Sequence, residues 1–140
     1  MNKEIEENFV KTFVEKRMQE RIIFELLSDK KNKKNYTLRD YAIMRLAYCD
    51  ARNLKKKLIH LQCDSINVDE VEKVITKLCG IAKKCYTMGM LKNGEMLLRE
   101  ALEQSFDWLG VSIVIIGDDT AFIKTETSIG SPTKFILHRK

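Results

Sequence analysis

The sequence predicts an α+β protein, with a helical N-terminal half packed on a small, mainly antiparallel C-terminal sheet of three or four strands. Apolar residues recur every three or four positions through most of the first half, as in amphipathic helices. After Gly110, short β-branched runs alternate with turn residues, as in antiparallel strands. At 140 residues, with 44% apolar and 32% charged side chains, the chain fits one globular domain spanning residues 1–140.

The first segment has helical periodicity from Ile5 to Leu27. No proline or glycine interrupts it, so the pattern allows either one long helix or two short ones. Its stripe of Phe9, Val10, Phe13 and Val14 is typical of a core face, although such a stripe could also dock another protein or a second copy.

Two more helices are predicted from their N-caps. Thr37 and Asp40 have the spacing of a capping box, and the helix that they begin should continue as far as Leu61, with a possible break near residues 50–53. Asn67 is the second N-cap, and Gly80 can end that helix. In the first of these helices the pattern assigns six residues to the inward side: Leu38, Tyr41, Ala42, Met44, Leu46 and Cys49.

The rest of the chain is predicted to be mostly strand, with one helix from Glu95 to about Leu109 after a turn at Asn93-Gly94. The strand from Val111 to Ile116 is almost wholly apolar, so it should be central and covered on both faces. We nevertheless expect the helices to lie on one side of the sheet. The predicted strands are Lys84–Met88, Val111–Ile116, Thr120–Thr125 and Thr133–His138.

The net charge of +5 is concentrated in the first half, because residues 1–62 contain 15 Lys/Arg and 9 Asp/Glu. This asymmetry could mark a nucleic-acid surface with Tyr36, Tyr41 and Tyr48 as stacking groups, but interleaved acids favour a solvated helical face. The candidate basic residues are Lys30, Lys31, Lys33, Lys34, Arg39, Lys55, Lys56 and Lys57.

No catalytic, metal or cofactor site is predicted. Gly117-Asp118-Asp119 resembles the carboxylate turn of RNA polymerases, but a plain hairpin turn is favoured. His60-x-x-Cys63 lacks the paired short loops of a zinc site, and the four cysteines are interpreted as free thiols. An enzyme is disfavoured, although a site built on Asp118, Glu126 or a cysteine needs no short motif.

The protein is expected to be cytoplasmic. Its acidic N-terminal stretch does not match a secretion signal. The longest apolar run, Val111 to Ile116, is far too short to span a bilayer.

Two stretches of the sequence are the helical segment ERIIFELLSDKK after Gln19 and the tail pattern GDxxAF followed by GSPxxFIL. Both stretches resemble a family of small bacterial proteins. The resemblance spans both ends of the chain and implies no catalytic residues. In size and layout the chain is also similar to the immunity proteins that protect bacteria from delivered toxins. Immunity proteins to cationic nucleases are commonly acidic, whereas this chain is basic.

The leading functional hypothesis is therefore a non-enzymatic protein that binds another protein, such as a toxin domain neutralised by occlusion. The candidate contact residues are Arg21, Glu25, Lys30 and the loop Gly130-Ser131-Pro132. The alternative is a nucleic-acid-binding protein that uses the basic N-terminal half. No membrane partner is expected, and the sequence leaves homo-oligomerisation open.

Overall fold

A computed structural model describes residues 2–28, 37–48, 54–55, 58–63, 66–80, 84–89, 93–126 and 133–139. The helices are α1 (Lys3–Phe13), α2 (Lys16–Leu26), α3 (Leu38–Ala47), α4 (Val68–Cys79) and α5 (Leu98–Asp107). The strands are β1 (Leu58–Gln62), β2 (Lys84–Met88), β3 (Gly94–Leu97), β4 (Ser112–Ile116), β5 (Thr120–Lys124) and β6 (Lys134–Arg139). The α+β class is confirmed.

The sheet has six strands in the order β1-β6-β5-β4-β2-β3, and every neighbouring pair is antiparallel. The antiparallel prediction is confirmed, but three or four strands is too few, because both edge strands were assigned to helices. In β1, Leu58 pairs with Arg139 and Gln62 with Phe135, so a partner strand more than 70 positions away along the chain decides its conformation. Short apolar runs fit a helix or a strand equally well by periodicity.

Helices cover both faces of the sheet, and the prediction of helices on one side is wrong. Helices α1, α2 and α3 share one apolar core with strand residues such as Ile113 and Ile123. Helices α4 and α5 share the other core with Val114 and Phe122. Successive side chains of a strand point to opposite faces. The fully buried strands β4 and β5 therefore require cover on both sides.

Two helices, rather than one, occupy the first segment. Between them, Val14 leaves the helical conformation and forms a β-bridge with Leu54, while Lys55 N donates a hydrogen bond to Phe13 O at 3.0 Å. The side chains of Phe9 and Phe13 are buried, which confirms that this stripe belongs to the core.

The predicted helix starts are confirmed at Thr37 and Asn67. Thr37 and Asp40 form a reciprocal capping box, and the Asn67 side chain accepts a hydrogen bond from Glu70 N at 2.9 Å. Each cap satisfies backbone N–H groups that have no partner inside the helix. Among the described residues, no helix has both the length and the apolar character needed to cross a membrane.

Candidate functional site

A charged network inside the protein joins the first helical layer to the sheet. Glu6 is completely buried, and its two carboxylate oxygens accept hydrogen bonds from Arg39 at 2.5 and 2.7 Å. Arg39 Nη1 also donates to Leu26 O at 2.9 Å. The Tyr86 hydroxyl donates to Glu6 Oε2 at 2.5 Å and accepts from Asn2 N at 2.9 Å. The network thus connects α1, α2, α3 and β2.

Arg39 was predicted to belong to a basic surface, and the structure places its guanidinium in this network with Glu6. Its hydrogen bond with Glu6 raises the pKa of the Arg39 guanidinium, so the group is held as a cation within the fold. Burial is the larger cause of the raised pKa of Tyr86, and the hydrogen bond to Glu6 adds to it. Because Arg39 is paired with Glu6, its charge contributes little to the electrostatic field outside the protein.

A cleft of about 530 Å³ opens on the α1 side of the sheet, at the end where β2 begins and β4 and β6 finish. Its volume lies within the range of small-molecule sites. Tyr86 and Ile115 are paired neighbours on β2 and β4 and belong to the core on this side. The cleft is lined by Glu4, Ile5, Asn8, Lys84, Cys85, Tyr86, Glu95, Ile115, Gly117, Asp118 and Arg139.

Asp118 and Cys85, two residue types that an enzymatic hypothesis would use, line the cleft, but the Cys85 side chain packs in the core on the other face of the sheet. Burial, with a smaller contribution from Glu100, raises the pKa of the Cys85 thiol to about 12. Burial also raises the pKa of Cys79, whose Sγ donates to Ile75 O at 3.1 Å. Both thiols stay protonated at neutral pH, and the thiolate is the reactive form of cysteine. Neither cysteine is therefore prepared for nucleophilic chemistry.

The outer surface of α3 is apolar. Tyr41, Met44 and Tyr48 follow one another at helical spacing, and 40%, 39% and 50% of their surfaces are exposed. The opposite side of the helix is buried through Ala42 and Leu46. Tyr41 and Met44 were predicted to face the core, whereas the structure shows both of them facing outward.

Helix α2 extends this apolar surface. Phe24 is 59% exposed, and Arg21, one turn earlier, lies 3.7 Å from Glu25 through its Nε atom. Glu25 also forms an ion pair with Arg45 of α3. Glu25 therefore bridges Arg21 of α2 and Arg45 of α3 at the junction between the two helices. We call the outer surface of these two helices the α2–α3 face: Arg21, Phe24, Tyr41, Met44, Arg45 and Tyr48.

The predicted contact residues have different positions in the fold. Arg21 is exposed on the α2–α3 face, whereas Glu25 is buried at the junction between its two helices. Lys55 is exposed, and its Nζ donates to Lys11 O at 2.6 Å. The remaining predicted residues lie outside the described part of the chain: Lys30, Lys31, Lys33, Lys34, Lys56, Lys57, Gly130, Ser131 and Pro132.

One signal in the sequence could have revealed the α2–α3 face. The segment from Leu38 to Tyr48 has apolar residues around most of the helix circumference, more than a single buried stripe requires. The helical pattern was interpreted as assigning these apolar residues to the core. Phe24 gave no comparable signal, because it follows Ile22 and Ile23 within an apolar run.

Comparisons with protein-family models, curated proteins and solved structures found no match. The resemblance to small bacterial proteins therefore stays a prediction. Among the described residues, no group of three or more His, Cys, Asp or Glu side chains is arranged to hold a metal ion.

Proposed function

We propose that this protein binds another protein through the α2–α3 face. The observation that carries the proposal is that α3 has large apolar side chains on its outer side as well as in the core: Ala42 and Leu46 enter the core, while Tyr41, Met44 and Tyr48 face outward. The outer side of a surface helix is normally polar and charged, whereas on α3 these three residues stand beside Asp40 and Arg45. A partner surface would cover the three apolar side chains.

The residue types on this face support a protein partner. Aromatic residues, methionine and arginine are enriched in protein interfaces, and Tyr and Arg are frequent among the residues that dominate binding energy. The face combines Phe24, Tyr41 and Tyr48 with Met44 and two arginines. Contiguous exposed apolar areas on soluble proteins commonly mark interaction sites.

The charge of this region favours a partner with acidic groups around an apolar centre. The Arg21 side chain is 77% exposed, and that of Arg45 is 40% exposed. The first 62 residues have an excess of 6 positive charges. Opposite charges at the rim of an interface increase the association rate and select against wrong partners. An acidic toxin domain, neutralised by occlusion, is the kind of partner that the layout of immunity proteins suggests.

The experiment is a comparative affinity capture from the organism that encodes the protein. The wild-type chain is compared with a Phe24→Glu/Met44→Glu variant and with a Leu109→Glu control. Leu109 is 72% exposed and follows α5, on the other side of the sheet. We expect one protein to be captured by the wild type and the control, and lost or weakened at least about tenfold with the double variant.

Other outcomes would contradict the proposal. A protein captured equally by all three chains would bind elsewhere. Concentration-dependent dimerisation that the double variant abolishes would show that a second copy covers the face. Binding of mixed DNA and RNA oligomers that weakens steeply with salt, and that is lost when Lys55, Lys56 and Lys57 become Glu, would establish the nucleic-acid alternative.

A further inference from the structure

The cleft at the end of the sheet offers a second candidate site that is separate from the α2–α3 face. Its floor consists of strand residues on the side that faces α1, including Tyr86 and Ile115. Gly117 has a positive φ of 62° at the adjoining turn, and a Cβ atom there would meet nothing within 4 Å. The floor is therefore apolar and open beside the turn.

Charged side chains of both signs surround this floor. They are Glu4 on α1, Lys84 on β2, Glu95 on β3, Asp118 in the β4–β5 turn and Arg139 on β6. All five residues are exposed. Lys84 and Tyr86 are two positions apart on β2, so their side chains leave the same face of the sheet.

These five charged side chains are not paired with one another. Within the part of the chain that the structure describes, none of their side chains forms an ion pair. Other arginines of the protein do form ion pairs: Arg39 is paired with Glu6, and Arg99 is paired with Asp69 and Glu103. The cleft thus presents separate positive and negative groups to any molecule that enters it.

We propose that the cleft binds a small zwitterion carrying a carboxylate and a protonated amine, such as a free amino acid or a dipeptide. Lys84 and Arg139 supply the donors for the carboxylate, and Glu4, Glu95 and Asp118 supply acceptors for the amine. Hydrogen bonds between charged groups are stronger than neutral ones. Ile5 and Ile115 give the carbon part of the ligand an apolar contact.

Amide chemical shifts of the full chain test this proposal during titration with the common α-amino acids and the dipeptide Ala-Ala. We expect at least one probe to shift the amides of Lys84, Asp118 and Arg139. The Kd should rise at least about tenfold in Lys84→Gln and in Asp118→Asn. It should stay unchanged in Lys77→Gln, which removes an exposed charge from α4 on the other side of the sheet.

N-acetylalanine amide, which lacks both charges, is the control ligand and should not bind. The dispersion of the amide spectrum shows whether each variant is folded. If Lys84→Gln or Asp118→Asn is not folded, Arg139→Gln is titrated in its place. The proposal is overturned if no amide moves at probe concentrations up to about 10 mM. It is equally overturned if the neutral amide binds as well as the zwitterions, or if the cleft variants keep the wild-type Kd.

Discussion

Replacing Glu6 should destabilise the fold strongly. Its carboxylate is completely buried between Arg39 and Tyr86. Removing one partner of a buried ion pair leaves the other charge without compensation. Glu6→Gln preserves the shape and should lower the free energy of unfolding by about 3 kcal/mol, because the Arg39 side chain is only 23% exposed.

Urea unfolding measures this loss, and Glu103→Gln is the matched control. Glu103 pairs with Arg99 at 2.8 Å, but its side chain is 57% exposed. Exposed ion pairs contribute little, so the control should lose less than about 0.5 kcal/mol. Equal losses in the two variants would mean that the Glu6 network does not stabilise the fold.

Lys124 should make stability depend on pH. It is 1% exposed, and its Nζ donates to Gly110 O at 2.8 Å and to Thr125 O at 3.2 Å. Burial lowers its pKa below the ordinary 10.5, the charge of Lys134 lowers it further, and Glu126 opposes both. The unfolded chain therefore binds more protons between the lowered pKa and 10.5, and stability from this group rises with pH across that interval.

Lys124→Met removes this contribution. We expect the difference in unfolding free energy, wild type minus variant, to increase as the pH is raised towards 10.5. Urea titrations at several alkaline pH values measure that difference, and the opposing effect of Tyr86 cancels because both proteins contain it. A difference that stays constant or falls with pH would contradict the lowered pKa of Lys124.

The partners of a buried charged residue could not be predicted from the sequence. Glu6 lies within the helical pattern of α1, and nothing in its spacing identifies partners that are 33 and 80 positions away. The prediction of free thiols needed no such information, and Cys79 and Cys85 are free thiols in the structure. Buried polar pairs depend on the tertiary arrangement, which periodicity does not encode.

At the scale of elements, the break between α1 and α2 depends on Leu54. Leu54 is 7% exposed and forms the bridge with Val14 that separates the two helices. Truncating a buried leucine removes apolar contacts and leaves a cavity. Leu54→Ala should therefore lower the free energy of unfolding by about 2–3 kcal/mol.

Leu61→Ala is the control for this element. Leu61 follows Leu54 by seven positions along the chain, but it is 37% exposed on the edge strand β1. Its truncation should cost less than about 1 kcal/mol in the same denaturation experiment. If Leu61→Ala lowers the free energy of unfolding as much as Leu54→Ala does, the contact of Leu54 with the α1–α2 break does not contribute to stability beyond that of an ordinary leucine.

Elements with a local signal were predicted well. The caps at Thr37 and Asn67 and the almost wholly apolar strand β4 are determined by neighbouring residues. The edge strands β1 and β3 were missed because their conformation comes from pairing with β6 and β2. Cross-strand contacts stabilise such strands more than their own propensity does.

At the scale of the whole molecule, two helical layers enclose the sheet and separate the two candidate surfaces. The α2–α3 face points away from the sheet, and the cleft lies where the strands end. The sequence predicted the α+β class, and the apolar excess of α3 indicated a second apolar surface, but the sequence did not show which residues form it. Assigning them requires knowing which side of α3 meets the core.

Site-specific photo-crosslinking tests whether a protein partner covers the α2–α3 face. A photoreactive residue is placed at Met44 in one chain and at Leu109 in another, and each is irradiated in the cells that encode the protein. We expect Met44 to give a crosslink to one other protein and Leu109 to give none. If Met44 crosslinks to no protein, or both positions crosslink to the same set, the proposal that a partner covers this face is contradicted.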